Sequence, residues 1–297
     1  MKVEKLTSRI GAELSGIDVS RPLDAAAISA ITDAFHQHSV LFFTGQRILS
    51  GEEQLRFARH FGKIEVDDFQ THASAVPEVM ILDQTQPRGQ GADRWHADST
   101  YHHLPPKGIM LQAHRLPDSG GDTCFAGMYA AYDLLSPPIQ QMLGGLTAVH
   151  STSPLIERTR GSGLYQIPEG LARRPPVSHP VIAVHPRTGR RMLNVNSQWT
   201  TRIEGVTTAE SDALLGFLFE HVKSPEIQVR FRWREGDIAF LDNLSVQHYA
   251  VADYDTRRVM QRIVLAGEPE AAATGSEAPS SPSPKDSRQR RLRTSGK

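Results

Sequence analysis

Between Ile227 and Gly267 the chain abandons helical spacing. IQVRFRW sets Val229, Phe231 and Trp233 against Arg230 and Arg232, the two-residue alternation of a half-buried strand. GDIAFLDN follows behind a turn, and RRVMQRIVLAG is a third run of the same kind. Short strands with few helices between them predict an antiparallel sandwich or barrel. The chain therefore reads as mainly β, with the helices of its earlier part packed outside.

Those helices carry their own signals. LDAAAISAITDAFHQHS spaces Ile28, Ile31 and Phe35 at helical intervals, and His36 and His38 fall at its end, where a cation suits the dipole. VLFF at Val40–Phe43 reads as a short buried strand, and VPEVMILD as a second. SGEEQLRFARHFG opens with Ser50 and Glu53 at capping-box spacing and reads as helix to Phe61. Thr207 and Glu210 repeat the box before a helix whose apolar stripe reads Leu214, Phe217, Leu218 and Val222.

Composition narrows the function. The 297 residues can bury a sizeable core, and 33 basic residues balance 33 acidic ones, so neither nucleic acid nor a membrane surface is expected as partner. No long apolar run marks a signal peptide or a membrane span. The lone Cys124 excludes a disulfide framework or thiolate cluster within the chain and fits a cytoplasmic setting. After Gly267 the sequence turns to Ala, Ser, Pro and charge. Residues 1–268 are expected to form one domain and 269–297 a disordered, solvated tail ending in the basic RQRRLR.

Against this background 13 histidines stand out. In WHADST, His96 and Asp98 lie two apart and would share one face of an extended backbone. Taken alone, the triplet is more often two polar residues on a surface strand. His248, just past a predicted strand in FLDNLSVQHYA, supplies a third ligand type. Two histidines and a carboxylate make the facial triad of non-haem Fe(II) oxygenases; a zinc hydrolase uses the same ligand types with a bound water. On the strand that follows, Arg258, Met260, Arg262 and Val264 share a face, with the two arginines about 13 Å apart at roughly 3.3 Å per residue. Two guanidinium forks on a cavity wall suit two anions.

The chain resembles the TauD/TfdA group of Fe(II)/2-oxoglutarate-dependent dioxygenases, whose members include taurine, alkylsulfate and phenoxyalkanoate dioxygenases. The resemblance runs in order through WHADSTYHHLPPKG, LPDSGGDTCF, HPVIAVHPRTGRRMLNVN, TTRIEG, FRWREGDIAFLDN and VQHYAVADYDTRRVMQR. It implies a double-stranded β-helix, or jelly-roll, core. His96, Asp98 and His248 match the iron ligands, and Arg258 and Thr123 match the residues that hold the distal carboxylate of 2-oxoglutarate. Arg262 matches the arginine that holds the substrate's anionic group, and Ser99, Tyr101 and Trp199 fall where the substrate pocket is lined.

The implied activity is hydroxylation of a small organic anion (a sulfonate, an alkylsulfate or an aryloxyalkanoate), with O2 and 2-oxoglutarate consumed and succinate and CO2 released. Assembly into dimers or tetramers is the family's habit. There are departures. Leu241 stands where the family's strand end often has Trp, which should not affect the ligands, and GQGADRWH lacks the asparagine that taurine enzymes carry shortly before the motif. Glu65, Asp67 and Asp68 stand in FGKIEVDDFQTHAS where taurine enzymes carry histidines, one of which helps hold the sulfonate, and a carboxylate there would repel an anion. The Arg-rich STSPLIERTRGSGLYQIPEGLARRPPVSHP reads as an irregular stretch and a candidate lid. The competing readings are a jelly-roll metal-dependent hydrolase or isomerase using the same His/Asp/His site, and a binding protein without catalysis.

Overall fold

The structure, a computed structural model, describes residues 1–69, 76–85, 88, 92–160 and 168–268. The expected tail at 269–297 lies outside the described residues, as do residues 161–167 of the candidate lid and 70–75 beyond the acidic stretch.

Two facing sheets build the core. The larger has the order Lys2–Lys5, Ala12–Ser15, Val40–Phe43, Ile238–Asp242, Gly108–Arg115, Arg258–Leu265, Ile64–Glu65, and Met80–Gln84 pairs with the other half of Arg258–Leu265. The smaller has the order Gln228–Phe231, Thr123–Gly127, Val246–Ala250. All pairings in these two sheets are antiparallel except that of Ala12–Ser15 with Val40–Phe43. This is the expected jelly roll.

Strand parity decides which residues face the interior. Val40, Phe42, Ile109, Leu111, Ala239, Leu241, Met260 and Val264 of the larger sheet pack with Phe125, Val229, Phe231 and Val246 of the smaller. Phe42 stacks on Phe231 with ring centroids 4.0 Å apart, and burying a side chain of this size contributes roughly 1.5–3 kcal/mol. Residues of opposite parity, among them Leu41, Phe43, Met110, Phe240 and Ile263, pack instead under the helices Ala25–His38 and Gly51–Ala58. Because Met260 and Val264 point inward, Arg258 and Arg262 do too; both are buried.

Both capping boxes form, Ser50 with Glu53 and Thr207 with Glu210. The first helix ends at Ala58 rather than Phe61. There the bonds tighten to three-residue spacing, His60 N to Phe57 O and Phe61 N to Ala58 O. In VPEVMILD only the latter half joins the sheet, as Met80–Gln84. The helix Thr208–His221 buries Ser211, Leu215 and Leu218, followed by Val222, while Phe217 is 47% exposed. Leu218 and Val222 are buried as expected, Leu215 takes the place of the half-buried Leu214, and Phe217 stacks on His221 at the surface. His36 and His38 do end their helix, but burial lowers the pKa of both, so a cation–dipole attraction does not account for them. The Arg-rich stretch is more regular than expected, with helices Ser153–Thr159 and Glu169–Ala172 and strand Val177–Pro180.

Candidate metal and co-substrate site

The inward face of Val246–Ala250 carries Val246 and then His248. His96 pairs with it through His96 N to His248 O at 3.1 Å and His248 N to His96 O at 2.8 Å. This bridge sets the two rings with centroids 4.4 Å apart. Asp98 does not reach them along a strand, as the spacing predicted. Only His96 pairs; from Asp98 the backbone turns, with Ser99 at φ 53° and His102 N donating to Ser99 O at 3.0 Å. The turn still brings one ligand atom from each of His96, Asp98 and His248 within 4.8 Å of the others.

Protonation suits a metal. His96 Nδ1 lies 2.6 Å from Arg94 O. A carbonyl only accepts, so Nδ1 carries a proton and Nε2, 3.5 Å from Asp98 Oδ1, is the nitrogen aimed at the site. Burial, with the neighbouring His96, pushes His248 down to about 3, so its ring is neutral. Burial alone would raise Asp98; the Arg262 guanidinium and the two imidazoles overturn this and hold the carboxyl well below its usual range. Two imidazoles and one carboxylate, all buried or nearly so, are a donor set that fits Fe(II).

The strand Thr123–Gly127 lies beside His248, with Phe125 opposite it and Thr123 opposite Ala250. Thr123 therefore faces inward two residues further along. Its Oγ1 accepts from Trp233 Nε1 at 2.9 Å and from Arg258 NH2 at 3.4 Å. Arg258 Nε donates to Gly121 O at 3.1 Å. Among the described residues no carboxylate stands within ion-pair distance of Arg258. A buried guanidinium held by a carbonyl and by the hydroxyls of Thr123 and Tyr254, with no carboxylate in ion-pair range among the described residues, fits the distal carboxylate of a dicarboxylic acid.

Arg262 is placed otherwise. Its NH2 lies 3.0 Å from Asp98 Oδ2, and its NH1 makes a short contact with Asp67 Oδ2. Burial opposes its charge, but the two carboxylates raise its pKa above the ordinary value. Ser99, Tyr101 and Trp199 come together as expected. Ser99 Oγ donates to Tyr101 Oη at 3.3 Å, the Tyr101 and Trp199 rings meet edge-on at 4.8 Å, and Trp199 Nε1 donates to Ala97 O at 3.0 Å. Phe69, Met80, Leu155 and Leu171 complete this apolar wall, so the helices of the Arg-rich stretch do reach the pocket.

Sequence reasoning missed three supports. Asn243 Oδ1 accepts from Asp98 N at 2.7 Å while its Nδ2 donates to Asp98 O at 2.9 Å, fixing the turn that aims the carboxylate. Its place in LDN, beside the predicted strand, was the available signal. Asp68 accepts from His102 Nε2 at 2.6 Å and Tyr101 Oη at 3.2 Å and meets Arg174 NH2 at 3.3 Å. Gly121, in the GGDT stretch, leaves room for Arg258. Leu241 packs in the interior and touches none of the ligands' hydrogen bonds.

A jelly roll that gathers two imidazoles and a carboxylate on its inner face defines the mononuclear non-haem metal enzymes. Residues 2–264 match the taurine catabolism dioxygenase TauD, TfdA family, and the chain belongs to that family. It is 39% identical over 285 residues to an alkylsulfatase of Acinetobacter baylyi, covering 93% of this chain and 88% of that one. It is 38% identical over 285 residues to an alpha-ketoglutarate-dependent sulfate ester dioxygenase of Pseudomonas putida, covering 90% of each. A taurine dioxygenase structure from Burkholderia xenovorans superposes with TM-score 0.77 at 34% identity, covering 90% of this chain and 91% of that one. The protein is thus a 2-oxoglutarate-dependent dioxygenase, an oxidoreductase whose cofactors are Fe(II), 2-oxoglutarate and O2. Among the described residues no helix is long and apolar enough to cross a membrane.

Proposed function

We propose that His96, Asp98 and His248 hold the iron, that Arg258 and Thr123 hold the distal carboxylate of 2-oxoglutarate, and that the substrate is a small organic anion, an alkyl sulfate ester foremost. The observation that carries this is the convergence on one interior face of three donor atoms within 4.8 Å and of a buried guanidinium without a carboxylate partner among the described residues. The names of the two relatives above favour a sulfate ester over a sulfonate or an aryloxyalkanoate.

Iron with 2-oxoglutarate and O2 supplies the oxidant that hydroxylates a C–H bond while succinate and CO2 leave. The chain's own residues position and shield. His248 stays neutral, so its lone pair remains available. Asn243 fixes the Asp98 turn. The wall of Phe69, Met80, Tyr101, Leu155, Leu171 and Trp199 suits the alkyl part of a substrate and excludes water. Hydroxylation of the carbon bearing the sulfate leaves a species that releases hydrogen sulfate and an aldehyde, so no protein nucleophile is required. Arg258 and Thr123 favour this reading over a metal hydrolase or isomerase, which has no use for either. One domain over residues 1–268, a homo-oligomeric assembly and cytoplasmic residence belong to the same proposal.

The test is succinate formation from 2-oxoglutarate, Fe(II) and O2 across alkyl sulfates, sulfonates and aryloxyalkanoates. An alkyl sulfate is expected to raise the rate above the substrate-free level and to release one sulfate per succinate. No stimulation by any member of the panel would refute the reading. Stoichiometric Mn(II) binding, measured separately, is expected to be lost in His96→Ala.

A further inference from the structure

The anion seat at Arg262 already has an occupant. Asp67 and Arg262 are both buried, with side chains only 5% and 10% exposed, and each outer nitrogen of the guanidinium faces a carboxylate, NH1 that of Asp67 and NH2 that of Asp98. Asp98 is one of the three metal-site donors. Asp67 therefore supplies the remaining negative charge on Arg262, in the place where a substrate anion would sit. The wall is balanced: Arg258 and Arg262 against Asp67 and Asp98. Iron and 2-oxoglutarate bring two positive and two negative charges and preserve that balance. A substrate anion entering at Arg262 finds no uncommitted cation there while Asp67 remains, and an uncompensated buried charge is strongly unfavourable.

The strap carrying Asp67 is tied down by its neighbour. Asp68 is held by His102, Tyr101 and Arg174, and Phe69 N donates to Asp67 Oδ1 at 2.8 Å. The Asp68 contacts anchor the backbone beside Asp67, so yielding means breaking the Asp67 side chain's own bonds to Arg262 NH1 and Phe69 N while the strap stays in place. Resting on the anion reading above, we propose that Asp67 is a specificity-determining residue that competes with the substrate's anionic group for Arg262 and must be displaced for that group to bind. Affinity for the anion is then a difference between two ion pairs, the new one formed and the old one broken. Discrimination falls on the strength of the anion's grip on Arg262 rather than on the alkyl chain.

The test is equilibrium binding of hexyl sulfate, by calorimetry under nitrogen, to protein loaded with Fe(II) and 2-oxoglutarate, where no turnover occurs. Asp67→Asn keeps the shape and removes the competing charge. It is expected to bind hexyl sulfate at least tenfold more tightly than wild type, with hexan-1-ol binding changed less than threefold. Asp67→Ser guards against a folding defect in the first variant and should shift affinity in the same direction, and circular dichroism reports whether each variant is folded. Equal or weaker hexyl sulfate binding by both folded variants would overturn the role of Asp67 while leaving the anionic substrate standing. Binding of hexan-1-ol but not hexyl sulfate, by wild type and variants alike, would overturn both. Failure of 2-oxoglutarate itself to bind in the loading step would instead strike at the dioxygenase site.

Discussion

Gly121 shows how narrowly single residues set the place of Arg258, the proposed co-substrate seat. It sits at φ +73°, and a Cβ there would lie 3.1 Å from Pro117 Cγ, 3.3 Å from Arg258 Cδ and 3.4 Å from Arg258 Nε. The left-handed backbone favours glycine, and the crowded neighbours are the Pro117 ring and the stem of the Arg258 side chain. Gly121→Ala is expected to displace Arg258 from both Gly121 O and Thr123. The Michaelis constant for 2-oxoglutarate should rise about tenfold, some 1.4 kcal/mol, with substrate binding changed far less. Steady-state kinetics in each co-substrate checks it, and equal shifts in both would show a general loosening of the fold instead. At this scale the convergence of the candidate ligands was legible, because His, Asp and Arg carry their chemistry in their identity. Asp67 was legible only as an oddity. Its partner stands 195 residues away in the sequence, and nothing local says whether an acid faces a substrate anion or the arginine meant for it.

Elements were legible where geometry leaves one answer. The strand Arg258–Leu265 has period two, so naming Met260 and Val264 as core fixes Arg258 and Arg262 on the same side. Capping boxes are equally local. Ser50 Oγ accepts from Glu53 N at 3.2 Å, and Glu53 Oε2 from Ser50 N at 2.9 Å. Ser50→Ala is expected to destabilise the protein by about 1 kcal/mol, and Ser50→Gly by only a few tenths. Urea denaturation distinguishes the two, and equal costs would mean the hydroxyl contributes through something other than the cap. The helix Thr208–His221 was partly misread because Leu214, Leu215, Phe217 and Leu218 offer two apolar stripes one residue apart. Which of them is buried depends on the surface it meets, and that surface comes from distant strands. The His96–Asp98 pair was misread for a related reason. Period-two reasoning assumed a strand, whereas the bridge to His248 ends at His96 and Ser99 adopts a positive φ.

Across the whole molecule, the central strands of the jelly roll are buried on both faces, so groups far from the candidate ligands share the interior with them. A third sheet, ordered Thr200–Ile203, Thr147–His150, Val177–Pro180, flanks the site. His150 on it lies with Nδ1 2.8 Å from Thr100 Oγ1 and Nε2 3.3 Å from Thr200 Oγ1. Thr100 is two residues from Asp98, so this network ties the outer sheet to the turn at the metal site. Burial, with His179 close by, pushes His150 down to about 3, and burial lowers His179 and His114 as well. Below about pH 6.5 the unfolded chain binds protons at these positions that the folded chain refuses. Their contribution is therefore complete above that pH and is lost as the pH falls below it, for His150 down to about 3. Each such group fully titrated in the unfolded state alone costs about 1.4 kcal/mol per pH unit, so His150 by itself should remove roughly 1 kcal/mol between pH 6 and 5. The thermal midpoint of metal-free protein should fall across that interval, and His150→Gln should fall less steeply than wild type. Matching slopes would mean that His150 keeps an ordinary affinity for protons in the folded state, and that the Thr100–His150–Thr200 network opens to solvent before the protein unfolds.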